Sequence, residues 1–183
     1  SFFDGKRNCG ISSARAGNVI GGGDWSAKRL IPDCIRSLRR NIPIKLRNPE
    51  FNRPWQFVLE PLKGYLVLAK KQYKNPRKFS GAWNFGTEPK SITNVKRIVE
   101  YMIEFWGSGS LKTQKIRKFY EQHNLQLDIK KAKKKLQWLP TYNISDSVKV
   151  TTEWYHRVLE KKEDPITVTD FQIEDYMHEN NWS

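Results

Sequence analysis

At 183 residues the chain has the length of one domain or slightly more, and with 13% aromatic residues and seven Trp it does not read as disordered. A formal net charge of +14 admits nucleic acid, an anionic surface or a phosphorylated small molecule as partner. No apolar run reaches the roughly 18 residues of a membrane span, and Cys9 and Cys34, without CxxC spacing or a nearby His, read as reduced thiols of a cytosolic protein.

Ser1, Phe2 and Phe3 carry no signal-peptide pattern and read as the end of a helix, followed by an Asp4-Gly5 turn. Residues 11–19 read as a short buried strand that breaks at Gly21, Gly22 and Gly23, where glycine gives the backbone freedom and lets a ligand come close. A strand ending in such a loop is where open α/β sheets bind ligands. Almost nothing precedes it, so the chain is expected to be part of a larger enzyme. Leu30, Ile31, Cys34, Ile35 and Leu38 predict a helix over 29–40, entered through Pro32. Short strands are expected at 43–46 and 55–59, separated by the Asn48-Pro49 turn.

A helix over 61–72 would bury Leu62, Tyr65, Leu66, Leu68 and Ala69. A brief strand at 82–85 ends at Gly86, and a polar-capped helix over 93–106 ends at Gly107. Residues 128–136 predict a helix with a lysine-covered outer face, and 145–159 the last strong helix. The segment 161–183 mixes acidic and apolar residues and receives no assignment. These elements give α/β architecture with several helices and few short strands, too few for a self-sufficient sheet.

The sequence contains no GxSxG, GxxxxGK[ST] or GxGxxG motif, and no two of His123, His156 and His178 stand at metal-ligand spacing. Polar residues do recur beside turns: Asn18 at a strand end, Arg29 at a helix start, Arg47 and Arg53 around Asn48-Pro49, and Asn84 before Gly86. Guanidinium groups take phosphate bidentately, and carboxamides both donate to and accept from sugar hydroxyls. Together these suit a nucleotide-diphosphate ligand, although each singly is an ordinary surface Arg or turn Asn.

ARAGNVIGGGDW from Ala14, RLIPDCIRS from Arg29, RNP at Arg47, RPWQFVLEPLKGYLVLA from Arg53, and WNFG at Trp83 follow in order. This series resembles the carboxy-terminal half of the CDP-glucose 4,6-dehydratases, nucleotide-sugar enzymes of the extended short-chain dehydrogenase/reductase superfamily. The similarity is close over 13–86 and looser to about 159, and TDFQIEDYMHENNW is similar to the family's tail. The resemblance implies an incomplete NAD-binding Rossmann-type fold, with residues 1–183 as the carboxy-terminal substrate-binding part. It implies a parent enzyme whose bound NAD oxidises C4 of the glucose, after which water leaves across C5–C6 and hydride returns to C6. Such an enzyme would serve deoxysugar and surface polysaccharide biosynthesis as a cytoplasmic homodimer, with no nucleic-acid or membrane partner.

The family's dinucleotide motif, Tyr-xxx-Lys pair and acid–base set have no counterpart in these residues, so the resemblance implies no catalytic residue here and no activity of this piece alone. On the substrate side it implies Asn18, Arg29, Leu30, Arg47, Arg53, Asn84, Glu121 and His123 as nucleotide-sugar contacts, and Ala16 and Gly17 as neighbours of the nicotinamide. Tyr120 stands where the family has a His, and Lys28 where relatives are often acidic. The glycine loop, placed beside Arg29, Arg53 and Trp55, becomes the floor of the pocket. Two other readings stay open: another nucleotide-sugar epimerase or dehydratase, and a basic nucleic-acid-binding module.

Overall fold

The computed structural model describes residues 9–113 and 126–182. The first strand is interrupted: β1 (Ser12–Ala16) and β2 (Asn18–Ile20) flank Gly17 and pair with different partners. Gly17 is the hinge because a Cβ there would lie 3.0 Å from the Pro54 carbonyl oxygen. The expected buried strand is therefore corrected. Ser13, Ala14 and Arg15 are exposed, because among the described residues β1 pairs along one edge alone.

Helix α1 (Leu30–Arg39) buries Ile31, Pro32, Cys34, Ile35 and Leu38, nearly the expected stripe. Three short strands follow: β3 (Ile44–Leu46), β4 (Asn52–Arg53) and β5 (Trp55–Phe57). Helix α2 (Leu59–Lys74) starts two residues before the expected position and turns a different face inward. Glu60, Pro61, Gly64 and Leu68 are buried, while Leu62 and Leu66 are 45% and 60% exposed. Gly64 explains the rotation, since the Phe85 ring occupies the place of a Cβ, 2.2 Å from its ideal position.

The short α3 (Pro76–Phe79) leads into β6 (Gly81–Phe85), which pairs parallel to β1. β7 (Thr93–Asn94) precedes α4 (Val95–Trp106), where Asn94 accepts the Arg97 N–H and left-handed Gly107 closes the end. Then come β8 (Leu111–Thr113), the lysine-rich α5 (Lys130–Leu136) and α6 (Ile144–Leu159). Residues without a sequence assignment form α7 (Pro165–Glu179), capped by Asp164, whose carboxylate accepts the Thr167 N–H at 2.8 Å.

Among the described residues the strands form four two-stranded pairs, three parallel and one antiparallel. One apolar cluster joins α1, β3, α4 and α6 through Ile35, Ile98, Met102, Val148 and Tyr155. A second joins α2, α3, β6 and α5 through Leu68, Phe79, Trp83, Phe85 and Trp138. Burial of these large rings and branched chains supplies most of the driving force. No helix among the described residues is long and apolar enough to cross a membrane.

Candidate functional site

A cavity of about 580 Å³ opens at the carboxyl end of β2, against the first turn of α1. Asn18, Gly21, Gly22, Asp24, Arg29 and Leu30 line it, together with Trp55 and Val58 across the sheet. The parallel register that sets Asn18 opposite Trp55 brings the two sides together. Three expected substrate contacts, Asn18, Arg29 and Leu30, thus meet in one place. So does the glycine loop.

Two electrostatic features mark the cavity. Arg29 is the N-cap of α1 and its side chain makes no cap hydrogen bond. Because Pro32 has no N–H and the Asp33 amide is given to the Arg29 carbonyl, the positive end of the helix is formed by the Leu30 and Ile31 amides, with Asp33 in the same turn. Arg29 Nη1 donates to Asp24 Oδ2 at 3.2 Å. The Ser26 N–H, donating to Asp24 Oδ1 at 2.9 Å, and the Arg29 guanidinium hold that carboxyl below its usual range.

The remaining expected contacts lie elsewhere. Arg47 is exposed beyond β3 and does not line the cavity. Arg53 on β4 stands over the Phe51 ring, 5.5 Å from its centroid, and Nη1 donates to the Asn52 carbonyl at 3.0 Å. Asn84 on β6 donates through Nδ2 to the Asp128 carbonyl at 3.2 Å, joining β6 to the segment before α5. Ala16 and Gly17 lie just before Asn18, outside the cavity lining, and the Gly17 N–H is given to the Phe85 carbonyl at 3.3 Å. The Gly17 amide is therefore already committed within the fold. Glu121 and His123 lie outside the described residues.

Sequence reasoning missed what supports the loop. Trp154 and Tyr155 fall inside the helix expected over 145–159 with no role assigned, yet Trp154 lies against Gly22 and the Tyr155 hydroxyl donates to the Asp24 carbonyl at 2.7 Å. Burial pushes the Tyr155 phenol up to about 12, so it stays a donor. Glu60 was also missed. Its carboxylate, carried on the first turn of α2, is buried and accepts from the Thr141 and Tyr142 amides at 2.9 and 2.7 Å and from the Tyr176 hydroxyl at 2.8 Å.

The lysine-rich run is partly used inside the fold. Lys131 donates to the Ala82 carbonyl at 2.8 Å and stands 4.1 Å from the Trp83 ring centroid, and Lys133 pairs with Glu88 at 2.5 Å. Among the described residues no group of three or more His, Cys, Asp or Glu side chains is placed to hold a metal ion.

No protein-family model matches the chain. It is 41% identical over 169 residues to the CDP-glucose 4,6-dehydratase of Salmonella typhimurium strain LT2, covering 92% of this chain and 47% of that protein. The chain therefore spans about half the length of the curated relative it matches. Among solved structures it resembles a UDP-galactose 4-epimerase with TM-score 0.65 and 22% identity, covering 82% of this chain and 46% of that one. It also resembles the dTDP-glucose 4,6-dehydratase of Bacillus anthracis in complex with NAD, with TM-score 0.66 and 16% identity, over 82% of this chain and 46% of that one. The fold is thus that of Rossmann-type enzymes, matched over about half their length. In sequence this chain is similar to part of a CDP-glucose 4,6-dehydratase, and in fold to nucleotide-sugar epimerases and dehydratases, each matched over about half its length.

Proposed function

We propose that residues 1–183 are the substrate-binding portion of a CDP-glucose 4,6-dehydratase and that the cavity beside α1 takes the nucleotide sugar. The observation that carries this reading is the convergence of Asn18, Arg29 and Leu30 on one cavity. The amino-terminal amides of α1 offer donors and a partial positive charge to the diphosphate. Arg29 adds a full charge, with Asp24 as its partner while no anion is bound. The Asn18 carboxamide both donates to and accepts from a sugar hydroxyl.

Arg53 and Arg47 are proposed on the nucleotide side, beyond Trp55, and Asn84, Glu121 and His123 as further contacts of the same ligand. Ala16 and Gly17 are proposed to border the nicotinamide of NAD by packing. NAD supplies the hydride acceptor and donor of such a dehydration. This chain's residues hold and orient the sugar, and none of them is assigned the base.

Titration of the chain with CDP-glucose, UDP-glucose and dTDP-glucose, followed by thermal shift, tests the reading. CDP-glucose is expected to raise Tm most, and Arg29→Ala to reduce that rise. Equal shifts by all three would favour another nucleotide-sugar epimerase or dehydratase, and no shift by any would overturn the site. With NAD added, no turnover of CDP-glucose is expected, and measurable turnover would show that the chain carries its own base and hydride site.

A further inference from the structure

The glycine loop is held from behind. A Cβ on Gly22 would stand 2.1 Å from Cδ2 of the Trp154 indole, so loop backbone and ring lie face to face. Gly23 lies over the same ring at an ordinary contact distance, with an ideal Cβ 3.7 Å from Cη2. Trp25 then meets Tyr155 edge to face, with centroids 5.2 Å apart. On the other flank a Cβ on Gly21 would lie 2.9 Å from Cγ1 of Val58.

Both supports lead to α7. The Trp154 side chain is buried, and its Nε1–H donates to Thr169 Oγ1 at 2.9 Å. The Thr169 hydroxyl donates in turn to the Pro165 carbonyl at 2.7 Å, which leaves its oxygen facing the indole as acceptor. Val58 stands two residues before Glu60, and the Glu60 carboxylate accepts the Tyr176 hydroxyl at 2.8 Å. One helix thus fastens the backing of Gly22 through Thr169 and that of Gly21 through Tyr176. Three successive glycines carry no side chains to fix their own path and have much conformational entropy to lose. The loop's position is set by what it abuts.

We infer that α7 is a clasp that sets the position of the glycine loop, and through it the shape of the nucleotide-sugar cavity, with Thr169 and Trp154 as positioning residues. The effect on ligand rests on the proposed reading of that cavity, whereas the effect on the loop does not. Thr169 is exposed, so Thr169→Val keeps shape and β-branching and removes the hydroxyl, both the acceptor for the indole and the donor to the Pro165 carbonyl, while Thr169→Ser keeps both.

Wild type and both variants are compared by hydrogen exchange of residues 20–26 and by CDP-glucose titration. Thr169→Val is expected to speed exchange of the loop amides and to weaken CDP-glucose binding, each by about five-fold, the value of one net hydrogen bond. Thr169→Ser is expected to match wild type in both. Unchanged loop exchange in Thr169→Val would overturn the inference, as would a uniform rise across α6 and α7 with no excess at the loop. If wild type ignores CDP-glucose but loop exchange responds as expected, the clasp stands and the nucleotide-sugar reading falls.

Discussion

A glycine triplet can exist to admit a ligand or to admit the protein's own side chains, and distances from each missing Cβ separate the two causes. Gly23 has φ +81, a conformation that penalises any side chain, yet it has ordinary space around it. Gly22 has no such φ but no room either, with Trp154 Cδ2 and Cγ at 2.1 and 2.2 Å from an ideal Cβ. The indole cannot yield freely, because Thr169 holds its N–H and Tyr155 packs against it edge to face at 5.2 Å. Gly22→Ala is therefore expected to destabilise the protein by about 1–3 kcal/mol, as overpacking does. In a Trp154→Ala background that cost should largely vanish. Urea unfolding of the single and double variants measures the coupling, and a Gly22→Ala protein as stable as wild type would refute the wedge. The sequence announced that the backbone here needs glycine. It could not announce why, since the indole arrives from 132 positions further along the chain.

Elements were legible where local chemistry and periodicity agreed. α6 is expected within one residue of its observed start, and its start signal is reciprocal: Asn143 Oδ1 accepts the Asp146 N–H at 3.1 Å, and Asp146 Oδ2 accepts the Asn143 N–H at 3.3 Å. Because Asn143 is exposed, Asn143→Ala is expected to cost about 1 kcal/mol through the cap alone, and Asn143→Ser to recover most of it. Thermal melts of the pair check this, and equal stability of the Ala and Ser variants would contradict it. α7 was missed because Val168 and Tyr176 are its only fully buried side chains among the described residues, while Ile166, Phe171 and Ile173 are exposed. An apolar stripe does not emerge from such a distribution, although Asp164 followed by Pro165 is a helix-start signal. In α2 the stripe was misplaced, since Gly64 joins the core by lacking a side chain and hydropathy does not register that. The candidate site was legible in the same measure. Asn18, Arg29 and Leu30 sit at element ends that the sequence marks, whereas Arg47 and Asn84 are marked equally well and lie outside the cavity.

At the scale of the molecule two apolar clusters must be held as one body, and Glu60 provides polar connections across them. Its backbone carbonyl accepts the Trp138 indole N–H at 3.2 Å, and Trp138 belongs to the cluster around β6 and α5. Its carboxylate takes the amides of Thr141 and Tyr142, which lead into α6 of the other cluster, and the Tyr176 hydroxyl of α7. Burial pushes the Glu60 carboxyl upward, more strongly than the amides, the Tyr176 hydroxyl and the neighbouring Lys63 pull it down. Burial likewise holds the phenols of Tyr142 and Tyr176 above their ordinary range, so both remain neutral and Tyr176 remains a donor to Glu60. Glu60→Ala removes the acceptor of the buried Tyr176 hydroxyl and of the part-buried Thr141 and Tyr142 amides, and is expected to cost about 1–3 kcal/mol for the buried donor left without a partner, with less from the two amides that water can reach. The pH dependence follows from the sign of the shift. A carboxyl raised above its unfolded value binds its proton more tightly when folded, so its contribution is fully present below the unfolded pKa and declines as pH rises through the folded one. The stability gap between wild type and Glu60→Ala should therefore widen as pH falls from neutral toward about 5. Urea unfolding at the two pH values measures it. A gap that narrows on acidification would mean that the donors, and not burial, set the charge state of the carboxyl at this junction.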